Sequence, residues 1–484
     1  MTTVRDSGPS ADQVEVVSNR RGLPTWMPMA VFGLLMVMVV RQSARPLSDP
    51  DSFWHLRLGE QIWSARSVGT PDWSTADDRS WVLTQWLPEV VAARFEAWLG
   101  LPGVAWLFGA SLLVLVVAVY FMCRQRAGLL ASAFATGLAV VAMGAGLSPR
   151  PHMVTYVLLA TTLAAWLRTV DDLRPRWWLL PLSWLWACCH GMWFTGPLVG
   201  LLVILGLRLD QRVSDRDLVR LAVIPLGSVF LAALTPVGPK LLGAPFAVGG
   251  ISAYITEWQP PSFRTIGPAA AMLILALVVL TWSRTQRRVP WTNLLLLLMA
   301  TGWTLLAVRT VTLGAIIAAP LLAGAIQTWL HRRAEPRASW EKPFVLGAAA
   351  VCLVGLALVV SQVSEEPARV PSGLDPQLSA MAAGTPVLND YATGGWLRWA
   401  HPGLDPLIDG LTEAYSLDEL RDYGTAMAVG AGWEDIVGSS RAEYALLKES
   451  SPLASALEDR LSWVVLGADE GFVLLSAPDA SSGA

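Results

Sequence analysis

The stretch "SDPDSFWHLRLGEQIW", residues 48–63, sets Asp49, Asp51 and His55 close together directly after the first long apolar run of the chain. Four more segments place ionisable side chains beside apolar runs: Arg150 and His152 in "SPRPHM", His190 in "CCHGMW", Glu257 before Trp258, and Arg309 between two apolar stretches. A carboxylate can take a proton from an attacking hydroxyl, and an arginine can grip phosphate oxygens through paired N–H donors. Together they are the raw material of a site for a lipid-linked phosphate. Each residue also has a plainer reading. Ser48, Asp49 or Asp51 can cap a helix with Pro50 in its first turn. Arg150 and Arg309 can snorkel to headgroups, His190 can satisfy backbone groups at a helix break, and Glu257-Trp258 can anchor at an interface. Ionisable groups at membrane depth are expensive unless they face a cavity or a partner, and the plainer readings do not explain why so many share one face.

That shared face follows from the spans. Of 484 residues 54% are hydrophobic and 15% charged, against roughly 25% charged in soluble domains. The composition predicts a polytopic α-helical membrane protein. The net charge of −3 is spread along the chain and argues for neither a nucleic-acid nor an acidic partner, so no nucleic-acid partner is expected. Cys123, Cys188, Cys189 and Cys352 all lie in apolar runs, so no disulfide framework is indicated. Apolar runs near the length needed to cross about 30 Å of hydrocarbon occur at 25–41, 103–123, 127–147, 152–167, 219–235, 268–283, 290–308, 310–330 and 343–361. Residues 177–207 are apolar with basic clusters at both ends, which predicts two short helices, 177–189 and 191–207, turning at His190-Gly191. Eleven hydrophobic helices result, with the N-terminus cytoplasmic and the C-terminus outside. This arrangement puts 19 of the 35 Lys and Arg residues in cytoplasmic segments, including every short, strongly basic loop.

The predicted organisation is a disordered cytoplasmic tail (1–22), a transmembrane domain (23–362) whose first extracytoplasmic loop is 42–102, and a small extracytoplasmic α/β domain (363–484) after the polar linker "SEEPARVPSG". In that last domain "GTPVLNDYATGGWLRWA" reads as a strand, a Gly turn and an amphipathic helix, and "ADEG" as the turn of a hairpin. Phe53, Trp54, Leu56, Ile62 and Trp63 fall largely on one side of the helix after "SDPD", which predicts a helix lying in the membrane interface.

Taken in order, "DPDSFWHLRLGEQIW", "WVLTQWLPEVV", "SPRPHMVTYVLL", "WLWACCHGMWFTGPL", "LTPVGPKLL", "TEWQPPSF", "VLNDYATGGWLRW" and "LIDGL" resemble a group of bacterial multi-span proteins related to the GT-C superfamily of glycosyltransferases. The resemblance implies a GT-C-like helical membrane fold in the bacterial plasma membrane. It also implies a polyprenyl-phosphate sugar donor, a glycan, lipid or protein acceptor, and an essential aspartate in the first extracytoplasmic loop followed by a surface helix. Carried onto this chain, Asp51 is the loop aspartate and catalytic base, because Trp54 then takes the aromatic position three residues on; Asp49 is the second choice. The implied substrate-binding set is Trp54, His55, Gln85, Arg150, His152, His190, Glu257 and Arg309. The implied reaction is inverting transfer, with Arg150 or Arg309 stabilising the departing phosphate. Ser52 stands where many relatives carry a second acid, Gln85 where an acid often precedes the tryptophan, and Leu411 where an arginine often follows "DG". Ser52 leaves the base assignment open between Asp51 and Asp49, and the departures at Gln85 and Leu411 could mean an altered substrate or lost activity. The resemblance fixes no cofactor; Asp49 and Asp51 with a histidine could hold a divalent cation, Mg or Mn. A non-catalytic assembly or lipid-binding protein remains the alternative, with a transporter behind it because no symmetrical halves are visible.

Overall fold

The computed structural model describes residues 26–76, 82–247, 255–286, 288–330 and 334–478; the tail predicted at 1–22 lies outside the described residues. The membrane part comprises α1 (Trp26–Ser43), α2 (Pro50–Ala65), α3 (Trp86–Leu99), α4 (Leu101–Cys123), α5 (Leu129–Met143), α6 (His152–Asp172), α7 (Leu179–Cys189), α8 (Thr195–Leu209), α9 (Asp215–Ala232), α10 (Ala244–Ala247), α11 (Ile266–Ser283), α12 (Trp291–Leu306), α13 (Val311–Trp329) and α14 (Glu341–Val363). Among the described residues seven helical stretches are long and apolar enough to cross a membrane. Three apolar helices are shorter, and α9 begins with a charged turn. The protein is multi-pass; α4, with 23 residues and no charge, covers about 35 Å. The chain breaks at His190 between α7 and a 3-10 turn, Gly191–Phe194, that leads into α8.

α13 is the buried centre of the bundle and packs on α4, α5, α6, α11 and α12. Its sequence, rich in Gly and Ala, lets neighbouring backbones come close. α14 lies at the edge against α1 and α4, and its outer residues, such as Val351 and Val354, are exposed as a lipid-facing surface would be.

The C-terminal unit contains α15 (Asp375–Ser379), β1 (Pro386–Asn389), α16 (Tyr391–Ala400), β2 (Asp405–Pro406), α17 (Leu417–Met427), α18 (Trp433–Ser440), β3 (Tyr444–Lys448), α19 (Pro452–Leu461), β4 (Val464–Asp469) and β5 (Phe472–Ser476). The strand order is β2-β1-β3-β5-β4, with β1 parallel to β2 and β3, and β5 antiparallel to β3 and β4. Side chains alternate across the sheet. Val387, Leu446 and Leu474 face a core shared with α16, α2 and the start of α4, while Leu388, Leu447 and Leu475 face α18 and α19. One apolar layer therefore fuses the α/β unit to the membrane part.

Two sequence expectations change here. The glycines of "ATGGW" do not form a turn but lie inside α16: a Cβ on Gly395 would sit 2.8 Å from the Pro50 carbonyl oxygen and 3.2 Å from the Trp54 nitrogen, so glycine permits α16 to cross α2 at backbone contact. For the same reason the apolar side chains of α2 are not left for a membrane interface. Phe53 and Leu56 pack on Trp396 and Leu397, and Trp54, Leu58 and Ile62 pack on Leu83, Ile408 and Leu411, leaving Trp63 exposed.

Candidate active site

α2 starts where Asp49, in an extended conformation, accepts the Asp51 backbone N–H at 3.1 Å, with Pro50 as the first helical residue. Asp51, Trp54 and His55 then follow at i, i+3 and i+4, which brings them onto one helix face. Asp49 caps the helix, and Asp51 in the first turn projects from the capped end.

Arg150, in the corner between α5 and α6, meets both. Its Nε donates to Asp49 Oδ1 and Oδ2 at 2.9 and 2.8 Å. Its Nη1 lies 2.8 Å from Asp51 Oδ2 and 2.6 Å from Glu257 Oε1. The other Glu257 oxygen is 3.6 Å from Nη1 of Arg309, whose guanidinium sits 5.8 Å from the centroid of the Trp258 ring. Arg309 occupies a short 3-10 turn where the extended Ala307 separates α12 from α13, and the Val308 N–H bonds the Gln259 carbonyl at 3.0 Å, tying this turn to the Glu257 segment. Ser52 Oγ donates to the Pro149 carbonyl at 3.0 Å, which fixes α2 to the corner that carries Arg150.

Three carboxylates thus surround one guanidinium. Burial pushes the Asp51 carboxyl up to about 7; Arg150 pulls it down, and Asp49 and Glu257 push it up again. A carboxyl poised there suits proton transfer near neutral pH.

These groups line a cavity of about 1410 Å³ between the membrane helices and the α/β unit. Asp51, Trp54, His55, Gln85, Arg150, His190, Glu257 and Arg309 all reach its wall. Asp49 stands behind Arg150. His152 lies deeper, with Nε2 at 2.8 Å from the Gly146 carbonyl oxygen and its ring centroid 6.3 Å from that of His190. His190 Nδ1 is 3.3 Å from the Met192 N–H and its Nε2 3.3 Å from Arg309 Nη2; a neutral imidazole accepts at one nitrogen only, so one of these contacts is the hydrogen bond. Phe194, Trp258, Trp303 and Leu306 form an apolar wall.

The α/β unit closes the other side. A Cβ on Gly410 would collide with Asp51 Oδ1, so only glycine lets the "DG" loop lie against the aspartate. That loop is held by Asp409, which accepts Arg398 Nε at 2.6 Å and the Leu411 N–H at 2.8 Å. Four polar groups that the sequence reading did not single out belong to the site: Lys240, Tyr391 and Glu413 in the wall, and Glu89, fully buried, whose Oε1 lies 2.9 Å from His55 Nδ1. Glu89 carries a visible signal, an acid amid the apolar "WLPEVV"; Tyr391 and Glu413 carry none until the packing of the α/β unit is known.

Among the described residues no group of three or more His, Cys, Asp or Glu side chains is placed to hold a metal ion. The donor set considered for a divalent cation does not fit one: Asp49 and Asp51 both turn onto the Arg150 guanidinium, and His55 pairs with Glu89.

No family model matches this chain, and no curated protein matches it. Solved structures do. The Archaeoglobus fulgidus oligosaccharyltransferase tethered with an acceptor peptide containing the NVT sequon is 12% identical, with a TM-score of 0.58 over 88% of this chain and 69% of that one. The same enzyme, AglB, in complex with an inhibitory peptide and a dolichol-phosphate is also 12% identical, with a TM-score of 0.58 over 87% and 69%. The chain has the GT-C fold. A third structure of that enzyme, holding Zn and sulfate, matches at 12% identity with a TM-score of 0.55 over 86% of this chain and 67% of that one.

Proposed function

We propose that this protein is a membrane glycosyltransferase that moves a sugar from a polyprenyl-phosphate donor to an extracytoplasmic hydroxyl acceptor with inversion at the anomeric carbon. One observation carries the reading. Asp51, Arg150, Glu257 and Arg309, from distant segments of the chain, converge on a single cavity that has an apolar wall for a lipid and a polar wall for a phosphosugar. The GT-C fold supports it, as do AglB structures that hold an acceptor peptide or a dolichol-phosphate.

In this mechanism Asp51 takes the proton of the acceptor hydroxyl while that oxygen attacks the anomeric carbon. The bond from that carbon to the phosphate oxygen breaks, and its electron pair leaves with the lipid phosphate. Arg309 is the better arginine for that charge, because Arg150 is already engaged by three carboxylates; Lys240 in the same wall is a second cation. Arg150 instead positions Asp51 and keeps its basicity near neutral. The charge asymmetry of the loops supports a cytoplasmic N-terminus, so that the cavity and the α/β domain, residues 363–484, stand outside the bacterial plasma membrane.

The test is a lipid and glycan profile of cells lacking the protein, complemented with wild type or with Asp51→Asn. Accumulated polyprenyl-phosphate sugar with a truncated glycan, relieved only by the wild type, is the expected result. Full complementation by Asp51→Asn would overturn the base assignment, and complementation by the Asp49→Asn/Asp51→Asn double variant would favour the non-catalytic assembly reading.

A further inference from the structure

The buried pair behind the cavity wall has no place yet in this mechanism. Glu89 is 0% exposed, and no lysine or arginine is paired with it among the described residues. Its Oε1 meets His55 Nδ1 at 2.9 Å, while its Oε2 has no hydrogen-bond partner among the described residues. An orphaned oxygen is tolerable on a neutral carboxylic acid and severe on a carboxylate. The His55 ring lies in the cavity wall, held against Trp54 with ring centroids 3.5 Å apart, one helical turn from Asp51. Since Nδ1 is taken by Glu89, the nitrogen left for a ligand is Nε2.

We infer that Glu89 is a neutral carboxylic acid that donates its O–H to His55 Nδ1, which fixes His55 as the tautomer carrying hydrogen on Nε2 and presents that N–H to a phosphate oxygen of the donor. The inference rests on the glycosyl-transfer reading. It assigns His55 a direct contact with the departing phosphate and makes Glu89 a positioning residue. Asp51 and His55, on the same face of α2, then divide the work: one accepts a proton from the acceptor, and the other donates a hydrogen bond to the leaving group.

The electrostatic setting agrees. Burial is the largest influence on both groups, holding the Glu89 carboxyl well above its ordinary range against the opposing pull of the Gln85 side chain, and the His55 imidazole well below. The charged and titratable groups around His55 are Arg150, His152, Arg309 and His190, whose positive charge opposes a second proton on the ring, and Glu89 from α3. A neutral pair with a fixed donor follows, and it stays fixed across ordinary pH.

Histidine-labelled full-length protein in nanodiscs, observed by 15N NMR with His55→Gln to assign the signal, tests this directly, with undecaprenyl phosphate as the added ligand. The expected result is the Nε2-protonated neutral tautomer from pH 5 to 9, a shift of that nitrogen when undecaprenyl phosphate is added, and the same tautomer in Glu89→Gln, whose amide N–H can replace the acid O–H. Glu89→Leu loses the fixed tautomer, and its transfer rate falls by about 100-fold, as for removal of one oxyanion donor, against less than about tenfold in Glu89→Gln. An Nδ1-protonated ring, or titration of His55 between pH 5 and 9, overturns the inference. Binding of undecaprenyl phosphate, seen in its own 31P signal, with His55 unmoved also overturns it but leaves the glycosyl-transfer reading standing. No binding to the wild type overturns both.

Discussion

Two arginines, at opposite ends of the same bundle, meet carboxylates in different ways. Arg124, just past the far end of α4, is matched one to one: Nε and Nη2 grip Glu341 at 2.6 and 2.8 Å, Nη1 donates to the Ala127 carbonyl at 2.7 Å, and Tyr120 donates to the same carboxylate at 2.8 Å. Both side chains of that pair are nearly inaccessible, at 2% and 1% exposure. Arg150, at the end where α2 lies, faces Asp49, Asp51 and Glu257 at once and opens on a large cavity. The first cluster is balanced and closed, and it joins α14 to α4. The second carries more negative than positive charge within reach of solvent, which raises the proton affinity of one member. A closed pair of matched charge has nothing left to offer a substrate, whereas an over-acidic, open cluster can take up a proton and face a charged ligand.

The sharpest way to break the contrast is to remove one carboxylate from each cluster. Asp51→Asn lowers the rate of sugar transfer by about 100- to 10,000-fold, the usual range for a general base, and leaves thermal stability equal to wild type or higher because a poorly tolerated charge is gone. Initial rates on purified protein and melting in detergent read the two effects. Glu341→Ala does the reverse: it strands the buried Arg124 charge and costs about 3–5 kcal/mol in chemical denaturation, with the turnover of the remaining folded protein unchanged. If Glu341→Ala cut turnover of folded protein as deeply as Asp51→Asn, the assignment of the two clusters to structure and chemistry would fail.

A pH series sharpens the same comparison at smaller scale. With Asp51 as the proposed base, transfer is expected to need it ionised, so the rate should rise with pH through a midpoint near 7, where burial has placed that carboxyl. Stability moves the other way. The folded state holds the Asp51 proton up to about pH 7, whereas the unfolded chain releases it near 3.8, so stability falls as pH rises between those values and is level above. The contribution is about 4 kcal/mol at most, and it is read as the wild-type slope minus the Asp51→Asn slope between pH 4 and 7. Parallel slopes in the two proteins would show that Asp51 is not buried as the structure has it.

Much of this contrast could be read from the sequence, for reasons that differ from part to part. The helix-length apolar runs and the break at His190 are local signals of composition, so helices at those runs and the turn were legible. The gathering of Asp51, Arg150, Glu257 and Arg309 at one level followed from counting spans, because alternation of direction fixes which ends share a face. Their pairing did not follow: Arg150 looked like a lone arginine at a span end, and only tertiary structure brings Asp49, Asp51 and Glu257 onto it. The coverage of α2 was equally hidden. An amphipathic helix beside a membrane has the same pattern whether lipid or another helix covers it, and the "GG" of α16, which decides the matter through backbone contact, resembles a turn signal in one dimension. Glu89 and Tyr391 enter the site through packing between distant segments, which leaves no periodic trace.

Ser52 offers the smallest and most selective test. Its hydroxyl is buried and donates to the Pro149 carbonyl, one residue before Arg150, so it joins the helix that carries Asp51 to the corner that carries the guanidinium. Ser52→Ala removes that one neutral hydrogen bond and costs about 0.5–1.5 kcal/mol of stability. At the closed end of the bundle a loss of this size has no chemical consequence. At the open end it loosens the position of Arg150 relative to Asp51, and misplacement of a catalytic group by a fraction of an ångström is felt in the rate. Transfer in Ser52→Ala is therefore expected to fall by about tenfold, with the pH midpoint near 7 moving upward as the hold of Arg150 on Asp51 weakens. A pH–rate profile beside a melting curve separates the outcomes. A fall in stability with rate and midpoint unchanged would show that the Ser52 contact serves packing alone, and that Arg150 keeps its place through the three carboxylates without help from the Ser52 hydroxyl.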